Sequence, residues 1–522
     1  MRTFSLRTLG RLTLSLAVLL AALPPAAPAE AGWRSLTGVL RADARFSDWQ
    51  ISPNSRYVVY TADAEAGSGY ELYSVPITGT TPIKLNPPLV TGGYVQRFVV
   101  TLDSQYVIYI AEQEVDNRQE LYRVPISGGP AVKLSSALVA GGNVMDVKLD
   151  PDNVRVVYYA DQQSNDVFEI FSVPIAGGAA VKLNGALVAG GDVSVFEIDP
   201  ISNRVVYSAD QEVSDRTEIY GVPIAGGAAV KLSPDGARAY PYFQINPSVQ
   251  VVVFSATPSG STSDQLYMNA TAGGLLTPLN FSLAANQDVF GFHITPDGAR
   301  VIYNVTTMTS TLFVTHGNLY SVLIGGGAST QLTTADPGYG VYGALFHITS
   351  DSQRVVYRYQ RTAASATILE SVGLTGTGRA TLYAPTAGDS VFFKALSANA
   401  QWVLFSVSPA NANYSIPPGG GAPVGLGHGF DPIITPDSSR VLYTTNQLSG
   451  NYDLFSQQIF GGDRRNLSRV GTNAQVVDKA VSPNGQWVVF EVESSTPPRT
   501  RELRASDGAE APPPVYLPLI TR

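Results

Sequence analysis

Two stretches of this chain are nearly the same sentence. Ser172 to Gly191 reads SVPIAGGAAVKLNGALVAGG, and forty-nine residues after its start, Gly221 to Gly236 reads GVPIAGGAAVKLSPDG. Repetition at a period of 20–50 residues marks a chain built from stacked copies of one small unit. A second motif keeps the same beat. A turn followed by an apolar triplet recurs as SPNSRYVVY (52–60), TLDSQYVIY (101–109), DPDNVRVVY (150–158), DPISNRVVY (199–207), NPSVQVVVF (246–254), TPDGARVIY (295–303), TSDSQRVVY (349–357), SANAQWVLF (397–405), TPDSSRVLY (435–443) and SPNGQWVVF (482–490). The spacing is 47 to 54 residues, with one step of 38 between the eighth and ninth copies.

Each unit reads as four strands. Strand a alternates apolar and polar residues, as in DWQI (48–51). Pro with Asn, Asp or Gly then makes a tight turn. Strand b is the near-continuous apolar triplet, which requires burial on both faces. Strand c is typified by YELYSVPI (70–77) and QELYRVPI (119–126), and Gly-rich turns supply the positive φ needed to enter strand d, typified by AVKL (131–134). Four short antiparallel strands at this period describe a blade of a β-propeller. The fold class expected is therefore all-β, a propeller of about ten four-stranded blades, with two smaller rings in tandem as the alternative. The tenth unit runs through RELRASDG (501–508) and lacks a strand d. The segment 35–53 parallels 182–200, so the N-terminal strand is expected to complete the last blade and remove an open edge.

These motifs resemble the TolB-like, or WD40-like (PD40), propeller repeats. The resemblance rests on SPD/TPDG-x-R-VVY, x-E-L-Y-x-V, a GG turn and x-x-K-L, and spans roughly residues 34–508. It implies the fold and leaves the function open, because such rings host many roles. True TolB carries a separate N-terminal domain that has no counterpart here. The GH…WD signature of WD40 repeats is missing as well.

The first 31 residues read as a signal peptide. Arg2, Arg7 and Arg11 form a basic region, Leu12–Leu23 an apolar stretch too short for a bilayer, and Ala29-Glu30-Ala31 a small-residue cleavage site. The expected domains are thus 1–31 signal peptide, 32–508 propeller and 509–522 Pro-rich tail. The expected location is outside the cytoplasm, secreted or periplasmic. The chain has no cysteine, so disulfides and thiolate chemistry are excluded. Removing the signal takes the formal charge from −8 to −10, which argues against nucleic acid or an anionic membrane as partner. No later segment is long and apolar enough for a membrane span.

Many serine peptidases join a propeller of this kind to an α/β-hydrolase domain. That domain needs a G-x-S-x-G elbow and far more chain, and neither is present. Two groups of residues remain as site candidates. The first is a register on strand a that reads Gln50, Val99, Lys148, Glu197, Gln244, His293, His347, Ala395, Ile433 and Ala480. Its polar members Gln50, Lys148, Glu197, Gln244, His293 and His347 are expected to line the central channel, with Lys148 and Glu197 adjacent and able to pair. His293 and His347 are the only candidates for metal ligands. The resemblance extends to oligogalacturonate lyase propellers, which hold a metal through several His; two ligands without a third leave no metal or cofactor expected. The second group is acidic. The b-to-c loops of the first four units carry Asp63, Glu112, Glu114, Asp116, Asp161, Asp166, Asp210, Glu212 and Asp215 on one face of the ring, suited to a basic partner or simply to solvation. The PDG turns and the recurrent Glu71, Glu120, Glu169 and Glu218 read as structural. The function expected is a non-catalytic binding or scaffold module for a protein or glycan. A metal-assisted lyase or hydrolase at the channel and a TolB-like accessory subunit of an envelope complex are the alternatives.

Overall fold

A computed structural model describes residues 33–507, apart from 66–68, 80, 285, 308–315, 336–338, 343–344, 361–365, 387, 447–450, 471 and 495. The expected signal peptide and the Pro-rich tail lie outside the described residues. The described strands sort into ten antiparallel sheets, nine of them in the chain order a-b-c-d from one edge to the other and the tenth with the N-terminal strand in the place of d. The first blade shows the pattern: Phe46–Ile51, Tyr57–Ala62, Glu71–Pro76 and Ile83–Lys84. Among the described residues there is no helix.

Strand b makes the blade. Its apolar triplet is sealed on both faces, as with Val156, Val157 and Tyr158, because one face packs on each neighbouring blade. In eight of the ten blades the aromatic that ends the triplet lies opposite an aromatic on strand c, as Tyr109 does opposite Tyr122; in the other two Tyr357 faces Glu370 and Phe490 faces Arg504. The rings stack at 5.2 Å for Tyr60–Tyr73, 5.3 Å for Tyr109–Tyr122 and 5.4 Å for Tyr207–Tyr220. Directly opposed aromatic pairs are among the strongest cross-strand contacts. The recurrent glutamate two residues before the strand c aromatic is explained by the same register. Glu120 meets Lys133 of strand d at 2.5 Å and accepts from Tyr122 Oη at 2.8 Å. Glu71–Lys84, Glu169–Lys182 and Glu218–Lys231 repeat the pair. These conserve a buried carboxylate by giving it a cation and, in three of the four, a phenol.

One ring is formed, not two. The apolar core divides into ten clusters, and each joins two consecutive blades. The cluster that closes the circle packs Val58, Tyr60 and Val75 of the first blade against Val489, Leu503 and Ala505 of the tenth. Hydrogen bonds between a-to-b turns follow the same path, from Asn54 N to Ser104 Oγ (3.0 Å), from Asp297 N to Ser352 Oγ (3.0 Å), and from Asn484 of the last blade to Ser55 Oγ of the first (3.1 Å). Ser55, Ser104, Asn153 and Gly298 in these turns take positive φ, which is why the turns favour Asn, Gly and Ser.

The N-terminal strand completes the tenth blade as expected. Trp33–Ser35 pairs antiparallel with Arg501–Ser506, and the order of that sheet places it outermost. Leu36 N continues the pairing to Leu503 O at 2.9 Å, and Leu36 is 1% exposed. The irregular spacings also have local causes. An added strand, Val341–Tyr342, pairs with strand c of blade 6 and lengthens the step to 54 residues. The step of 38 arises because strand d of blade 8 (Val424–His428) runs into strand a of blade 9 (Phe430–Ile434) with only Gly429 between. A Cβ on Gly429 would sit 2.4 Å from the Tyr443 ring and 2.8 Å from Thr444 O.

Closure therefore depends on a few residues far apart in the chain. Leu36→Ala should lower stability by about 2–5 kcal/mol, since the site cannot collapse around the lost side chain. Gly429→Ala should cost about 1–3 kcal/mol by forcing blades 8 and 9 apart. Denaturant unfolding of both variants against an exposed control, Leu275→Ala, checks this; equal midpoints for Leu36→Ala and the control would show that the N-terminal strand does not hold the ring.

Candidate functional site

The inner strands line the channel, and their geometry is not regular. In nine of the ten blades a register shift interrupts the pairing of strand a with strand b, for instance between Phe46 and Asp48 and between Val95 and Arg97. Such bulges re-aim side chains beside an opening. All ten positions of the register expected in the channel are half-buried. Lys148 Nζ meets Glu197 Oε1 at 2.5 Å, so the expected pair forms between blades 3 and 4. Gln244 bridges to the next blade, its Nε2 standing 2.9 Å from His293 Nδ1 while its Oε1 accepts from Ile294 N at 2.9 Å.

The sequence reading missed the column two residues earlier. It reads Asp48, Arg97, Asp146, Val195, Tyr242, Gly291, Leu345, Phe393, Asp431 and Asp478. Arg97 meets Asp146 at 2.6 Å between blades 2 and 3. Burial raises the Asp48 carboxyl; Trp49 N–H and Arg97 oppose that, and Asp478 adds to it. Burial lowers the Lys479 ammonium, partly offset by Asp431 and Asp478. Charged side chains thus run along the inner strands from blade 9 through blade 4. The inner strands of blades 5 to 8 carry the exposed aromatics Tyr240, Tyr242, Phe290 and Phe392. Comparing the copies two columns earlier would have shown the charged part, because the Asp/Arg/Asp/…/Asp/Asp pattern is written in the chain; the bulges hide it from any strict alternation.

His293 and His347 are brought together. With Ile294, Pro296, Phe346, Ile348, Phe393, Ala395 and Leu396 they line a cleft of about 350 Å³ at the turn end of the inner strands of blades 6 to 8. The His347 ring stacks on Phe393, centroids 3.7 Å apart and 11° between planes, and His293 meets Phe346 edge-on at 4.9 Å. Burial, then the nearby His293, lowers the His347 pKa to about 4. Among the described residues no group of three or more His, Cys, Asp or Glu converges to hold a metal.

On the opposite face the acidic loops split into two roles. Asp161 Oδ1 accepts from Asn143 N at 2.5 Å and its Oδ2 from Asp166 N at 3.0 Å. Asp63 accepts from Arg45 N at 2.5 Å and from Arg41 at 3.1 Å. Glu112 accepts from Asn117 N at 3.3 Å, and Asp210 from Asp215 N at 3.1 Å. Asn117, Asp166 and Asp215 take positive φ, so Glu112, Asp161 and Asp210 each fix a strained turn five residues on. Glu114 and Glu212 are exposed but engaged with Lys133 (3.1 Å) and Lys231 (2.8 Å). Asp116, Asp166 and Asp215 are exposed at the loop tips of blades 2, 3 and 4, with no ion pair among the described residues.

Comparison with known proteins adds no argument to this geometry. No family model matches the chain, and no curated protein matches it. Among solved structures, one designated putative TolB from Agrobacterium tumefaciens aligns at 17% identity over 45% of this chain and 80% of that one, with a TM-score of 0.29. A structure from a study of two prolyl endopeptidases aligns at 10% identity over 70% of this chain and 54% of the other, TM-score 0.38. One of a eukaryotic initiation factor aligns at 12% over 76% and 93%, TM-score 0.46. At these identities and scores the likenesses carry no argument about activity.

The buried imidazole makes a pH prediction. A His347 neutral in the folded protein and titrating near its ordinary value when unfolded binds fewer protons in the native state between about pH 6.5 and 4. Stability should therefore be full above pH 6.5 and fall as the pH drops through that window, by about 3 kcal/mol at most. His347→Phe should flatten the dependence of the melting temperature on pH across that range; an unchanged slope would show that His347 is not the group responsible.

Proposed function

We propose that the chain is an exported, non-catalytic scaffold whose loop face engages a partner through blades 2 to 4. The observation that carries this reading is the division of labour in the acidic loops. Glu112, Asp161 and Asp210 each accept from the backbone N–H five residues on in their own loops, and Asp63 accepts from Arg45 N and Arg41, which makes rigid platforms. Asp116, Asp166 and Asp215 stand exposed at three successive tips with no ion pair among the described residues. Preorganised like charges favour fast, salt-sensitive association with a basic protein surface; a glycan partner would show little such salt dependence. Export is supported by the composition of residues 1–31. No helix among the described residues is long and apolar enough to cross a membrane. The TolB-like repeat pattern is compatible with an accessory role in an envelope complex.

The convergence of His293 and His347 on one cleft keeps a metal-assisted lyase or hydrolase as a second reading. Elemental analysis of the purified protein tests it: about one equivalent of metal, lost together with thermal stability on chelation, would favour the enzyme. The scaffold reading is tested by affinity purification from the native envelope and culture fluid with wild type and the Asp116→Asn/Asp166→Asn/Asp215→Asn variant. The triple variant should retain its fold and weaken partner capture by about tenfold at low salt, with little difference at high salt. Equal capture by both proteins at low salt would remove the loop face from consideration.

A further inference from the structure

The His293–His347 cleft has a chemistry of its own. It lies at the turn end of the channel, away from the loop face, as Pro296 in its lining shows. Its volume, about 350 Å³, falls within the range of small-molecule sites. None of its nine lining residues is Asp, Glu, Lys or Arg. A charged ligand there would meet no counter-charge in the lining. Phe393, Ile294, Ile348 and Leu396 give the cleft its apolar surface beside the two imidazoles, and the Phe346 side chain lies fully buried beneath them.

Two polar groups interrupt this apolar wall. Gln244 holds His293 from the neighbouring blade through Nδ1, fixing the orientation of that ring. His347 is held by stacking on Phe393 and makes no hydrogen bond to any described residue. A half-buried imidazole in an apolar wall is a hydrogen-bonding group waiting for a partner. Burial keeps it uncharged at neutral pH, so it offers a donor or an acceptor without a net charge.

We propose that this cleft binds a small, uncharged aromatic molecule with one hydrogen-bonding edge, of the phenol class, its ring against His347 and Phe393 and its hydroxyl on the His347 imidazole. The lack of a charged side chain in the lining disfavours ionic ligands, the two rings favour a flat aromatic over an aliphatic ring of the same size, and the imidazole favours a phenol over a bare arene. The site is independent of the loop face, so neither reading stands or falls with the other.

The test titrates the purified full-length mature protein with 4-methylphenol at neutral pH, followed by calorimetry and ligand-observed NMR. Toluene, 4-methylcyclohexanol and 4-methylbenzoate serve as probes lacking the hydroxyl, the aromatic ring and neutrality respectively. Saturable binding of 4-methylphenol is expected, with each comparator about tenfold weaker. His347→Phe keeps a ring and removes the nitrogens; it should abolish the preference for 4-methylphenol over toluene while toluene still binds. Phe393→Ala should weaken both ligands, with unfolding midpoints recorded to confirm that the ring persists. Equal affinity for 4-methylphenol and 4-methylcyclohexanol, an undiminished phenol preference in His347→Phe, or no saturable binding at millimolar ligand would each overturn the proposal.

Discussion

Burial of strand b on both of its faces is the requirement from which the rest of this molecule follows. A lone four-stranded sheet cannot seal Val156, Val157 and Tyr158 on two sides, and neither can an open row of such sheets, because its end blades would expose one face each. Only a circle gives every blade two neighbours. The cost of that solution is paid at a single joint. There, three residues of the N-terminal strand and the two leucines that follow must find the tenth blade across some 460 residues of chain. Closure of so long a loop is entropically expensive, though the cost grows only slowly with length. The ring offsets it by making the closing cluster as apolar as any other and by extending the pairing beyond the strand through Leu36 and Leu40.

The same requirement dictates where polar groups go. Once strands b and c are buried, a carboxylate at the start of strand c has no water to face, so Glu71, Glu120, Glu169 and Glu218 each take a lysine from strand d. The lysines reach inward from the outer edge, covering apolar surface with their stems while neutralising the charge. Burial alone would lower the Lys133 and Lys231 ammoniums; their hydrogen bonds to the glutamates outweigh it and raise them. These pairs are a consequence of blade packing and carry no function. At the channel edge the constraint relaxes, and there polar contacts such as Lys148–Glu197 and Gln244–His293 run from blade to blade rather than within one.

Periodic features of the fold were legible in the chain; positional ones were less so. The triplet VVY, the PDG turns and the ELY…VKL pair all repeat, and each repeat is read against the others, so blade count, strand order and the closing strand emerged together. The bulges on strand a broke this logic. A shift between Phe46 and Asp48 leaves Gln50 where alternation puts it, yet it also brings Asp48 to the channel, and no pattern of period two reports that. The acidic loops were legible only in part, for a different reason. Composition shows how many carboxylates a loop carries. It does not show that the one nearest strand b, such as Asp161 at 3% exposure, turns back to tie down the next turn while the one at the tip faces water. The relevant variable is distance along the chain from a buried strand end, and it became visible only once the turn at Asp166 was known to need positive φ.

A ring held at ten joints by apolar clusters has little freedom to open or close, so recognition by this molecule has to be built into surfaces that already exist. The structure offers two such surfaces with opposite chemistries at opposite ends of one channel. The loop face presents like charges on clamped turns, where hydration is retained and the proposed partner would be drawn by long-range attraction. The turn end presents a cleft without charged side chains beside the His347 and Phe393 rings, where the proposed ligand would gain from ring contact and a single hydrogen bond. Because the inner strands that connect them are also the strands that close the core, a ligand at one end gains no obvious leverage on the other: coupling needs an element with two alternative arrangements, and the paired and stacked inner strands have been given one.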